Sequence, residues 1–177
     1  MHKLSMDELG RKTVNEFKEA FKTPVVVVLD NIRSLNNIGS FFRTCDVFAI
    51  KSIFLCGITA TPPHREIYKT ALGSEISVDW KYFETTIKAI EYLKNNNYIV
   101  YGVEQTNVSI PLNEMCFDSK RSIAFVFGNE VDGVGIDVLQ LCDEFIEIPQ
   151  FGTKHSLNIA VCLGIVIWEV TKKNLIE

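Results

Sequence analysis

Two pieces of the last third of this chain hold the residues best suited to chemistry. The first, Ser122-Ile-Ala-Phe-Val-Phe-Gly-Asn-Glu-Val-Asp-Gly-Val-Gly135, puts Glu130 and Asp132 in a turn after an apolar run. The second, Ile148-Pro-Gln-Phe-Gly-Thr-Lys-His-Ser-Leu-Asn-Ile-Ala160, puts Lys154, His155, Ser156 and Asn158 in a loop before another. Two carboxylates in a turn can act as acid and base, or can simply be solvated turn residues. Glycines at 128, 133 and 135 permit tight folding or close approach of a ligand. Ser156 has no motif around it for a nucleophile, and N-capping the helix that follows is a sufficient local reason for it. His155 is the only histidine of three beside a candidate site, and a structural role at a helix start is the plainer reading. A third group lies upstream. At 100° per residue, Asn36, Gly39, Arg43 and Asp46 share one side of a helical segment. Gly39, one turn before Arg43, would let a partner approach the guanidinium closely. The alternative is a surface Arg43–Asp46 pair at i, i+3.

Several chemistries are missing. No Gly-x-Gly-x-x-Gly follows the first strand, and Val134-Gly135 stands where a phosphate loop needs Lys-Ser/Thr. No Ser–His–Asp order or Cys–His pair suggests covalent catalysis. The cysteines at 45, 56, 116, 142 and 162 contain no Cys-x-x-Cys pair and no metal spacing, so reduced thiols and no metal are expected.

The elements that must position these groups follow from periodicity. Residues 5–22 suit an amphipathic helix with Leu9, Val14, Phe17 and Phe21 on one side, ended by Thr23-Pro24. Val25-Val-Val-Val-Leu29 predicts a strand buried on both faces, as in a parallel sheet. After a polar loop, a helix is expected over 37–49, with Ile38, Phe41, Phe42, Cys45 and Ala49 facing the core. Further strands are expected at 52–56, 75–80, 98–103, 122–127 and 144–148. Helices are expected over 64–73 and 84–96 and from near Ser156, with an irregular or short helical stretch at 111–120. The alternation implies an α/β fold, a mostly parallel sheet with helices on both faces. Ligands of such sheets bind in loops at the strands' carboxyl ends.

The chain of 177 residues fits one domain: a helical extension at 1–22 and the main domain at 23–177. A net charge of −4 argues against a generally basic nucleic-acid binder and leaves room for a local basic patch. Residues 1–22 are too charged for a secretory signal, and the longest apolar run, 159–168, is too short for a bilayer, so a cytoplasmic protein away from membranes is expected. Spacing alone yields an α/β ligand-binding domain and no reaction.

The reaction comes from a resemblance carried by three blocks in order. Asn36-Asn-Ile-Gly-Ser-Phe-Phe-Arg-Thr-Cys-Asp46 has an Asn and, six residues on, an Arg (Asn37 and Arg43). Phe127-Gly-Asn-Glu-Val-Asp-Gly133 is similar to Gly-x-Glu-x-x-Gly. Ile148-Pro-Gln-Phe-Gly-Thr-Lys-His-Ser-Leu-Asn158 is similar to Ile-Pro-Met-x-Gly-x-x-x-Ser-Leu-Asn, with Gln150 in place of Met. Together they resemble the motifs of the SpoU (TrmH-type) RNA 2′-O-ribose methyltransferases, over residues 24–172.

The resemblance implies a SPOUT-type α/β domain with a C-terminal trefoil knot, a homodimer, and S-adenosylmethionine as methyl donor. The donor would be held largely by backbone at Glu104, Gln105 and Thr106, at Phe127 and Gly128, and at Ile148, Gln150 and Leu157. The substrate would be RNA, a tRNA before an rRNA because the 1–22 segment is short where many relatives carry an RNA-binding domain. A 2′-hydroxyl is a poor nucleophile and the sulfonium methyl is already activated. The protein's tasks are therefore in-line positioning and removal of one proton. A guanidinium is an awkward base with a pKa above ~12, so Arg43 is read as a clamp on phosphate that eases alkoxide development. Asn37, Ser156 and Asn158 would orient ribose, arginine or donor; Glu130 would fix the turn or contact arginine or RNA. Arg33, Arg65, Lys69 and Lys154 are candidate phosphate contacts, or solvated surface. The competing readings are an rRNA 2′-O-methyltransferase, a catalytically idle RNA-binding module on the same fold, and a small-molecule α/β enzyme.

Overall fold

The computed structural model describes residues 1–5, 7–118 and 121–172. The end of the stretch expected at 111–120 and residues 173–177 of the main domain lie outside the described residues. Among the described residues seven strands form one sheet: β1 (Thr23–Asp30), β2 (Ile50–Cys56), β3 (Trp80–Phe83), β4 (Ile99–Val103), β5 (Ile110–Pro111), β6 (Ile123–Phe127) and β7 (Glu144–Glu147). Their order is β3-β2-β1-β6-β4-β7-β5, and every described ladder between them is parallel. The two-residue β5 was not legible in the sequence.

The β-branched run in β1 works as expected. Val27 and Leu29 point into one core with Phe41, Phe42, Ile67 and Leu163, while Val26 and Val28 point into a second with Ala89, Ile90 and Val138. Alternation with period two thus gives β1 two buried faces. The first core is covered by α2 (Leu35–Val47), α3 (Arg65–Ala71) and α7 (Ile159–Thr171), the second by α5 (Thr86–Asn95) and α6 (Ile136–Leu139). Among the described residues, no helix is long and apolar enough to cross a membrane.

Several expected elements differ. The N-terminal helix is only α1 (Val14–Glu19): Gly10 takes a left-handed φ of 56°, Thr13 and Glu16 form a capping box, and the chain is extended by Ala20. Of its four expected apolar anchors, Phe17 packs on the first core. The strand expected at 75–80 starts only at Trp80, opposite Ile53. Left-handed Leu72 and Gly73 turn the chain into a short helix, α4 (Ser74–Ser77), whose Ser77 hydroxyl donates to Asp46. Helix α2 begins two residues early because the Ser34 hydroxyl accepts from the Asn37 amide, and Ala49 lies past its end with φ 48°. Helix α7 starts at Ile159, not at Ser156, because Asn158 caps it: its Oδ1 accepts from the amides of Ala160 (2.9 Å) and Val161 (3.3 Å).

Candidate functional site

The carboxyl ends of β4, β6 and β7 open into a cavity of about 580 Å³, within the range of small-molecule sites. Its walls are residues 103–105, the turn 128–133, Ile148 and Gln150 after β7, and the entry to α7 at 156–159. The turn is internally braced. The Asn129 and Gly133 backbones exchange hydrogen bonds of 3.1 Å each way, and Asn129 Oδ1 accepts from the amides of Val131 (2.9 Å) and Asp132 (3.0 Å). Gly133 has φ 67°, and a Cβ there would be strained and would stand 2.2 Å from Glu104 Oε2, pushing that carboxylate out of place. Glu104 itself accepts from the amides of Val134 and Gln105, each at 3.0 Å. Its carboxylate is thus committed to the turn.

One hydrogen-bond chain joins the three motifs. Asn158 Nδ2 donates to Asn37 Oδ1 (3.2 Å), and Asn37 Nδ2 donates to Glu130 Oε1 (2.8 Å). Glu130 Oε2 also accepts from the Arg33 amide at 3.4 Å. Partial burial pushes the Glu130 carboxyl up, but bonds from Asn37 and from the backbones of Glu130, Arg33 and Ser34 outweigh it and hold the pKa below the usual carboxylate range. Glu130 is therefore ionised at neutral pH and acts as an acceptor. In this structure its partners are Asn37 on α2 and the Arg33 backbone, with no bond to an arginine side chain among the described residues.

The other expected site residues divide. Glu104, Gln105, Gly128, Ile148, Gln150, Ser156, Leu157 and Asn158 line the cavity. Thr106 and Phe127 do not. Thr106 is turned into its own loop, its amide donating to Ser109 Oγ and its hydroxyl accepting from Val108. The Phe127 side chain is fully buried, edge-on to Phe41. Arg43 is exposed and lies in a separate depression with Ser40, Thr44, Val47, Phe48, Lys69 and Thr70. The alternative Arg43–Asp46 pair is not among the ion pairs of the described residues. Gly39 does not open an approach to Arg43 either; it is buried against α3. Of the candidate phosphate contacts, Arg33 pairs loosely with Asp132 (3.9 Å) and Lys69 with Glu66 (2.8 Å). Arg65 and Lys154 are exposed and form no ion pair among the described residues.

Sequence reasoning missed Asn129, Val131, Glu147, Ile159 and Cys162 in the cavity wall. Cys162 was findable, since it stands one helical turn after Asn158. Burial raises its thiol to about 12, so it is a neutral wall residue. Among the described residues, no cluster of His, Cys, Asp or Glu could hold a metal ion.

Residues 24–168 match the SpoU rRNA Methylase family. A Staphylococcus aureus protein assigned to the TrmH family of tRNA/rRNA methyltransferases is 29% identical over 156 residues, 88% of this chain and 61% of that protein. The chain thus spans about three-fifths of the length of that relative. The tRNA (guanosine(18)-2′-O)-methyltransferase of Aquifex aeolicus is 25% identical over 168 residues, 92% of this chain and 75% of that protein. Among solved structures, the Aquifex aeolicus TrmH/SpoU tRNA modifying enzyme superposes with a TM-score of 0.80 at 22% identity, covering 92% of this chain and 81% of that one. The SpoU methyltransferase AviRb of Streptomyces viridochromogenes, solved in complex with AdoMet, gives 0.79 at 19% identity, covering 90% and 64%. At such identities the structural likeness speaks to the fold.

Proposed function

The chain belongs to the SpoU rRNA methylase family, and from that premise we propose that it transfers the methyl group of S-adenosylmethionine to a ribose 2′-hydroxyl of RNA, in a tRNA before an rRNA. The observation that carries this reading is the chain Asn158–Asn37–Glu130, which ties all three motifs together at the mouth of the cavity. The cavity fits the donor: it has nucleoside-scale volume, apolar walls at Ile148, Leu157 and Ile159, and a glycine turn that leaves backbone accessible. When bound, the donor supplies an activated sulfonium methyl. The protein's own residues do the rest. Leu157 and Ile148 hold apolar surface, Gln150 and Ser156 offer polar contacts, and Asn37 with Glu130 fixes the wall against which ribose is oriented. Arg43, exposed and without an ion-pair partner among the described residues, is suited to clamp an RNA phosphate bidentately and to stabilise developing alkoxide charge. Arg65 and Lys154 would add phosphate contacts. Arg33 and Lys69 would have to exchange their carboxylate partners for phosphate.

The reading extends to assembly. Val161, Ile165 and Trp168 recur at i, i+4 and i+7 on α7, and all three are exposed. Trp168 packs edge-on against Phe48, which borders the Arg43 depression. A second copy of the chain covering this apolar face would bury it and bring its own cavity towards Arg43, giving a homodimer. A trefoil knot is supported by the path after β7. The loop 149–158 returns from that side of the sheet, and Asn158 reaches Asn37 on α2 across β6 and β4. The chain would work as one domain with an N-terminal extension, in the cytoplasm.

The test is methyl transfer from radiolabelled S-adenosylmethionine to total RNA from cells lacking this protein, followed by nucleoside analysis and fractionation of the RNA. Label in a 2′-O-methyl nucleoside of the tRNA fraction is the expected result. Label on a base overturns the ribose assignment, and label in rRNA overturns the choice of substrate. No label from a protein that binds the donor and RNA favours the idle module. Donor binding without salt-sensitive RNA affinity favours a small-molecule enzyme.

A further inference from the structure

Asp30 is the only charged residue among the described residues that is fully buried, at 2% exposure. It ends β1 with no cation against it. A buried carboxylate without a counter-ion is a costly way to fill a position, so its partners should explain it. Three donors converge on it. Oδ1 accepts from Asn31 Nδ2 at 2.8 Å and from the Thr86 hydroxyl, and Oδ2 accepts from the Gly135 amide at 3.1 Å. Only an acceptor-only group satisfies three donors; an asparagine there would aim its NH2 at one of them.

Each partner belongs to a different loop at the strand ends. Thr86 opens α5. Asn31, left-handed at φ 56°, accepts from the Ile58 amide at 3.1 Å and so latches the loop after β2. Gly135 closes the turn after β6, whose preceding amide, Val134, is already held by Glu104. Two neighbouring amides are therefore gripped by carboxylates from two other strand ends, β1 and β4. The stretch 128–133 that they anchor walls the cavity and carries Glu130.

We propose that Asp30 is a positioning residue for donor binding: by holding the Gly135 amide, its buried carboxylate fixes the 128–133 wall in the conformation that takes S-adenosylmethionine. This rests on the donor assignment above. Asp30 does not line the cavity, so it acts through the turn.

The experiment compares wild type with Asp30→Asn by calorimetric titration with S-adenosylhomocysteine and S-adenosylmethionine, and by steady-state kinetics. The expected result is donor Kd and KM raised about tenfold, the scale of one hydrogen bond to a charged group, with kcat at saturating donor within about threefold. Amide exchange at Gly135 rises in parallel. Asp46→Asn is the control for mere destabilisation. That carboxylate, near the C-terminal end of α2, also accepts a hydroxyl bond, from Ser77 on α4, and its loss should lower Tm while leaving donor Kd unchanged. If Asp30→Asn does not fold, Gly135→Pro breaks the same bond from the other side, removing the N–H and putting the ring Cδ against Asp30 Oδ2, at a residue whose φ of −57° suits proline. Wild-type donor affinity in a folded Asp30→Asn or Gly135→Pro protein overturns the proposal, as does an equal loss in Asp46→Asn. A wild-type protein that takes up neither donor molecule overturns the donor assignment itself, and this inference with it.

Discussion

Replacing Gly39 by alanine separates two accounts of a glycine one turn before Arg43. In the first, the missing side chain lets RNA approach the guanidinium. In the second, it lets two helices touch. The structure favours the second. A Cβ on Gly39 would stand 2.1 Å from Thr70 Oγ1, 2.3 Å from the Ile67 carbonyl oxygen and 2.9 Å from the Ala71 amide nitrogen. Thr70 could rotate away, although its hydroxyl would then give up the 2.9 Å bond to the Asn36 carbonyl. The other two atoms are backbone of α3. Restoring ordinary contact requires α3 to retreat by about 1 Å, and overpacking of this kind costs about 1–3 kcal/mol, or more where the backbone must move. Alanine recovers about 1 kcal/mol of that through its better helix propensity. Because two of the clashing atoms are backbone, the cost falls at the top of that range, about 3 kcal/mol, and the net loss of about 2 kcal/mol lowers Tm by about 4–8 °C for a chain of this size.

The assay is a thermal melt beside donor titration and methyl transfer. Asn37 and Arg43 ride on α2, so a displaced helix should also weaken transfer once stability is lost. A Gly39→Ala protein that melts within about 1 °C of wild type and loses only RNA affinity would refute the packing account and restore the approach account.

Other outcomes follow from single contacts. Arg43→Ala should leave Tm and donor Kd unchanged, because Arg43 has no partner among the described residues, and should slow methyl transfer about 100-fold or more; wild-type-like turnover would remove Arg43 from the mechanism. Glu130 has a folded-state pKa below its unfolded value. Its contribution to stability is therefore present above the ordinary carboxylate range and lost as pH falls through the lowered value. The stability difference between wild type and Glu130→Gln should be constant at neutral pH and shrink as pH falls through the lowered value; a difference that stays constant down to low pH would contradict the Asn37 bond. Burial pushes Cys56, Cys142 and Cys162 up to about 12, whereas Cys116 is exposed. Iodoacetamide at pH 8 should therefore modify Cys116 first, and mass spectrometry showing Cys162 modified as fast would mean the cavity wall opens.

The parts of the fold legible in the sequence are those fixed by local pattern. The Val25–Leu29 run declared a doubly buried strand, and the apolar face Ile38, Phe41, Phe42 and Cys45 of α2 is buried as its spacing required. Where a local competitor intervened, the pattern misled. Left-handed Gly10 and the Thr13 cap shortened α1. Leu72 and Gly73 turned a promising strand into α4. Asn158 outbid Ser156 as the cap of α7 because its side chain could take two amides. The site was legible only as three motifs set apart along the chain. Its working contacts join residues 93 and 121 positions apart, and no periodicity carries that information. Asp30 was invisible for the same reason: one acid at the end of a strand reads as the start of a polar loop until Gly135 and Thr86 are found beneath it.

Asn37 and Arg43 illustrate why such a site cannot be read from one motif. Six residues along a helix turn through 600°, so the two side chains leave α2 about 120° apart. A single helix cannot present both to one cavity. Asn37 is spent on the cavity side, bonded to Glu130 and Asn158, while Arg43 stands in a second depression beside the exposed face of α7. A motif that keeps both residues on one short helix therefore makes sense only if each serves a different partner: Asn37 its own chain's cavity, Arg43 whatever covers that face. On our reading that is RNA together with the second copy of the chain. The spacing in the first motif would then be set by the geometry of assembly as much as by the chemistry of transfer.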